Sequence, residues 1–167
     1  MREEVIIKLE VLNDSINALK ELGNIKFHTI AAYKLSKNIK AINKELVEID
    51  KIRQNLAKKT KEVVEKKYAE EKAEALKLKP ENKEVIEKEF VAKINKEINE
   101  EFAKEFKEFL QTEAKLEVNK LKLKDFEDVN FLPTALMLFG IDYLIEEPKE
   151  ETKNEKTGNK TEANKNK

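Results

Sequence analysis

Between positions 28 and 113 the chain carries no glycine and one proline, and its apolar residues form a narrow stripe flanked by charges. Leu35, Ile39, Ile42, Leu46, Ile49, Leu56 and Val63 follow steps of four and three and then seven, the coiled-coil spacing with which one helix lies along another. Pro80 breaks the run, because proline lacks an amide hydrogen and turns the residue before it away from helical backbone. Beyond it Val85, Ile86, Phe90, Ile94, Ile98, Phe102, Phe106 and Phe109 renew the stripe. The pattern predicts two helices folded back on each other as a protruding hairpin. The first starts at His28 or Thr29 and, if it runs to Leu78, is on the order of 75 Å long at ~1.5 Å per residue. Apolar positions thin out after Leu56, which predicts a lightly packed tip.

The ends of the chain read differently. Val5, Ile7, Leu9 and Val11 alternate with Ile6, Lys8 and Glu10, a period-two pattern that predicts an opening strand. Asn13, Asp14 and Ser15 offer N-cap oxygens for a short helix with Ile16, Leu19 and Leu22 on one face, stopped by Gly23 and Asn24. Leu116, Val118, Leu121 and Leu123 predict a second strand, with a register change near Asn119 and Lys120, that pairs with the first. The apolar run 131–145 predicts a helix with Pro133 in its first turn, acting as the lid of the core; it is too short and too charged at its end to cross a bilayer. The expected fold class is mainly α (α+β), a long antiparallel helical hairpin on a small base of two strands and short helices. One domain is expected over 1–147, with a base of 1–56 and 103–147 and an arm of 57–102. Over 148–167 Ala163 is the only apolar side chain beyond the proline, so a disordered tail is expected.

Composition narrows the function classes. The 34 Lys+Arg balance 34 Asp+Glu, which leaves no net charge to draw nucleic acid or an anionic membrane from a distance. Charged residues make up 41% of the chain, so much of it is solvated helix surface and the core must be local. There is no cysteine for a disulfide, a thiolate nucleophile or a Cys-ligated zinc, and no apolar leader or span, from which a cytoplasmic protein is expected. Glycine-rich phosphate loops, nucleophile elbows and metalloprotease motifs are missing, so no enzyme and no cofactor is expected. The single histidine, His28, reads as a capping or partly packed imidazole rather than a general base. Glu97, Glu100, Glu101 and Glu105 lie within helical reach of one another, but Lys93, Lys96 and Lys104 are equally close, so a salt-bridged surface is expected rather than a cation site. Arg53 occupies the seam between Ile49 and Leu56, where an apolar residue belongs. In a hairpin turning at Pro80, residue numbers that sum to roughly 160 face each other, which sets Arg53 opposite Glu105 or Glu108. An interhelical pair fixing register is expected, with contact to a phosphate or an acidic partner as the alternative.

The order of motifs resembles a family of small uncharacterised proteins encoded by tailed phages and prophages of Gram-positive bacteria. The likeness rests on Leu-Asn-Asp-Ser-Ile-Asn-Ala-Leu-Lys-Glu-Leu from Leu12, on Ala-Ala-Tyr-Lys-Leu-Ser-Lys-Asn from Ala31, on Glu45 and Leu46 with Arg53 and Leu56, and on the closing strand, Leu123 to Asp128 and Leu-Ile-Glu-Glu. It covers most of residues 4–147; the stretch 58–96 is longer and more charged than the family pattern. The resemblance implies a phage-derived late-region or accessory protein with no catalytic residues to carry over, and Tyr33, Asn38 and Arg53 fall on its motif positions. The resulting expectation is a non-enzymatic interaction protein whose arm serves phage morphogenesis or binds another protein. The alternative is an inhibitor of a host defence nuclease such as a CRISPR effector, so the partner is either a phage structural protein or a host defence protein; homodimerisation through the exposed seam is left open. A prefoldin-like chaperone ranks lower, because its helices stand at the chain ends and its strands between them, the reverse of the order here.

Overall fold

The computed structural model describes residues 2–147; the expected disordered tail lies outside the described residues. Strand β1 (Glu3–Lys8) leads into two short helices, α1 (Leu9–Asp14) and α2 (Ile16–Gly23), and then into α3 (Thr29–Leu78), a helix of 50 residues. A single 3-10 turn at Pro80–Asn82 reverses the chain into α4 (Lys83–Leu110). Strand β2 (Glu113–Val118), α5 (Leu123–Glu127), α6 (Ala135–Ile141) and a 3-10 turn at Asp142–Leu144 follow. The protein is mainly α with a small β base, and α3 and α4 pack along each other as the hairpin that the seam spacing predicts.

The two strands are antiparallel neighbours, Glu3 opposite Val118 and Lys8 opposite Glu113, although more than a hundred residues separate them. The base core lies between this sheet, the first turns of α3, the α1–α2 pair and the closing segment. Leu12, Leu22, Ile42, Val118, Leu121, Phe126, Ile141 and Leu144 are its most buried apolar side chains. Phe106 and Phe109 of α4 pack against its edge, which anchors the hairpin to the base.

Several local expectations are corrected. The opening strand ends at Lys8, and Leu9 and Val11 belong to α1, because Leu9 and Leu12 turn into the core at helical spacing. Asn13, Asp14 and Ser15 cap nothing: Asn13 and Asp14 lie inside α1, and the buried Ser15 hydroxyl donates to Leu12 O (2.7 Å) while accepting from the Tyr143 hydroxyl (3.1 Å). The second strand stops at Val118. Leu121 instead forms an isolated parallel bridge with Ile145, and Leu123 opens α5. The last helix is shorter than expected and begins after Pro133, with the Thr134 hydroxyl accepting from the Met137 amide (3.1 Å) as its N-cap. No helix among the described residues is long and apolar enough to cross a membrane.

Candidate functional site

Each residue singled out from the sequence has a definite place. Asn38 is fully buried and architectural. Its side-chain amide donates to Asn119 O (2.8 Å) and its carbonyl accepts from Asn119 N (2.8 Å), so it takes over the backbone pairing where β2 ends and the chain changes register. Lys34, one turn earlier, donates to the next carbonyl, Lys120 O (2.9 Å). Tyr33 lies on the outer face of α3, 62% exposed, with the Lys37 ammonium over its ring.

Arg53 does not fill the expected role. It is exposed and pairs within its own helix with Asp50, while Glu105 and Glu108 form no salt bridge among the described residues. The physical reason is register. The cross-hairpin contacts join Lys67 and Tyr68 to Glu97, and that alignment carried down the arm sets Arg53 opposite the end of α4 rather than Glu105 or Glu108. Glu105 instead edges a shallow recess with Thr60 and Val64. His28 stands at the N-cap position of α3 but is exposed and makes no side-chain cap bond, so the capping role assigned to its imidazole is not realised.

The polar contacts that cross the arm meet instead at Glu97, which braces α4 against Lys67 and Tyr68 of α3. Its carboxylate accepts from the Lys67 ammonium and from the Tyr68 hydroxyl (2.6 Å). The Lys67 hydrogen bond, followed by that of Tyr68, holds the Glu97 carboxyl below the usual carboxylate range; the same bonds raise Lys67 and Tyr68 above theirs. Tyr68 also meets Phe90 edge-on, with centroids 6.3 Å apart. Of the remaining acids in the cluster, Glu100 pairs with Lys96, and no group of three His, Asp or Glu suited to a metal occurs among the described residues.

The surface with the clearest unfilled chemistry is on the base. Gly140 of α6 packs against the α1–α2 junction, where a Cβ would make ordinary van der Waals contact with the Ala18 Cβ at 3.5 Å. These two small residues floor a groove of about 440 Å³. One wall is α6, where Met137 turns inward while Leu136 and Phe139 stand 81% and 80% exposed at the rim. The other wall is Glu10, Asp14, Asn17 and Glu21, a stripe at steps of four, three and four along α1 and α2. No lysine or arginine lines the groove; Glu10 accepts from Gln111, and Asp14 and Glu21 form no salt bridge among the described residues. The run 131–145 is thus only in part the expected lid: Met137, Ile141 and Leu144 close the core, and Leu136 does not.

The groove was missed because every residue from Ala135 to Phe139 is apolar, so periodicity alone assigns no outward face. The signals that mark it are Gly140 within the helical run and the acidic stripe running from Glu10 to Glu21. Comparison with protein-family models, with curated proteins and with solved structures finds no match.

Proposed function

We propose that this chain is a non-enzymatic interaction protein of a tailed phage or prophage, acting in morphogenesis or as an accessory factor by holding another protein. The observation that carries the reading is the apolar rim of the base. Leu136 and Phe139, with Leu132 at 87% exposure just ahead of them, present large hydrophobic side chains to water beside a preformed groove. The arm offers a second, sparser surface, with Val63, Val85 and Val91 exposed along the hairpin. The division into a base of 1–56 and 103–147 and an arm of 57–102 belongs to this reading, as does the phage origin, which rests on the resemblance of the motifs.

The test is affinity capture of the tagged full chain from phage-infected or prophage-induced cells, followed by identification of what copurifies. Specific recovery of a phage structural protein supports the morphogenesis reading. Recovery of a host nuclease, with loss of plasmid or phage interference when the gene is expressed, replaces it with a counter-defence role. Recovery of no specific partner under either condition overturns the interaction reading.

A further inference from the structure

We propose that the groove between α2 and α6 docks the apolar face of a basic amphipathic helix on a partner protein. The inference rests on the interaction reading above and supplies its chemistry.

The first ground is the shape of the exposed apolar surface. Leu136 and Phe139 are one turn apart on α6 and line the groove while keeping most of their surface in water. An extended apolar ridge laid across the groove covers them and seats its central side chain on the floor of Ala18 and Gly140.

The second ground is charge. The wall facing that ridge carries Glu10, Asp14 and Glu21, with Asn17 between them and no cation in the lining. A helix whose apolar stripe is bordered by lysine or arginine sets those cations beside Asp14 and Glu21, whereas one bordered by acids meets like charge. The same wall argues against a symmetric pair of this chain. A two-fold interface confined to this groove would bring the acidic wall no cation from the second copy.

The full chain supplies the test, titrated against a labelled synthetic helix of about four turns with leucines at i, i+3, i+4 and i+7 and lysines at the flanking positions. A twin peptide with glutamates in place of the lysines is the control, and fluorescence anisotropy is the readout. We expect the lysine peptide to bind and the glutamate peptide to bind at least about tenfold more weakly. Phe139→Ser should weaken the lysine peptide by about tenfold, and the paired Asp14→Lys and Glu21→Lys substitutions should reverse the preference. Asp14, Glu21 and Phe139 are exposed, so circular dichroism should show these variants folded as the parent. Equal binding of both peptides, binding of neither, or indifference to Phe139→Ser overturns the inference. So does self-association in sedimentation that Phe139→Ser abolishes, which would make a second copy the occupant. If the Phe139→Ser chain still captures its cellular partner, the groove is wrong but the interaction reading survives; loss of specific capture by the parent chain sinks the reading itself.

Discussion

Helices α3 and α4 run through both the base and the arm, yet the two regions are held by different physics. In the base, α3 contributes Leu35, Ile42 and Ile49 to a continuous core shared with both strands and every short helix, and its buried polar groups, Ser15 and Asn38, are hydrogen-bonded. Along the arm the same helix faces only α4, and the buried side chains reduce to Thr60 and Val64 on one side and Ile86 and Phe90 on the other. A helix that touches one partner along one stripe buries little apolar surface per residue, so the arm is expected to open locally and the base only as a whole. Contact topology, more than helix propensity, therefore decides where this protein is firm.

The largest expected effect lies in the base. Ile42→Ala removes a fully buried side chain at the centre of the core and should destabilise the protein by about 2–5 kcal/mol in urea unfolding. Leu136→Ala, on the exposed rim, should change the same measurement by no more than about 0.5 kcal/mol. Equal effects at the two positions would erase the distinction between core and rim.

Asn38→Leu comes next. It keeps most of the volume but strips Asn119 of both backbone partners, in a place where water does not reach the asparagine side chain. An orphaned buried donor and acceptor are expected to cost about 1–3 kcal/mol. The loss should appear as a lower urea midpoint together with faster amide exchange around β2. A neutral result would mean that Lys34 and solvent suffice to hold the chain at the end of that strand.

Phe90→Ala tests whether the arm opens independently. A buried phenylalanine in a cooperative core costs about 3–5 kcal/mol when cut to alanine, but in a segment that opens by itself the loss is capped by the segment's own stability. Amide exchange between residues 60 and 100 should therefore speed by about tenfold or more while protection of Ile42 and Val118 stays unchanged. If the base transition shifts by the full core value, arm and base are one cooperative unit and the contrast between them fails.

What could be read from the sequence follows the same division. The long helix is legible to within a residue at its start, read as His28 or Thr29, and its end at Leu78 fits the run to the proline, because the stripe is sustained over many turns. The short elements are not. Leu9, Val11 and their neighbours satisfy a period of two as well as the spacing of Leu9, Leu12 and Ser15, and only the presence of α3 and the closing segment decides for the helix. The register of the arm was legible only to within a few residues, which suffices to foresee a hairpin but not to choose between Arg53 with Glu105 and Lys67 with Glu97. Asn38 reads as one polar residue among many on a charged helix until the unpaired backbone at Asn119 lies beside it.

The smallest effect, and the sharpest on the arm itself, concerns the Glu97 brace. Glu97 titrates below its ordinary range because Lys67 and Tyr68 bind its charged form, so its contribution is present above the unfolded carboxylate pKa and is lost as pH falls through the lowered folded value. Lys67 and Tyr68 are raised, so their share is present below their unfolded values and is lost as pH rises through the folded ones. The brace thus works across a window from the carboxylate range to the phenol range. Water and salt screen it throughout, because Lys67 is exposed. Amide protection between residues 60 and 100, corrected for intrinsic exchange, should fall on acidification through that lower limit. In Glu97→Gln the protection should start lower at neutral pH and lose most of this acid dependence, since the group that titrates is gone. Protection in the base should follow the same course in both proteins. An arm whose acid profile is identical with and without Glu97 would show that Phe90, Val64 and Ile86 set the register by packing alone, and that the charges merely ride on it.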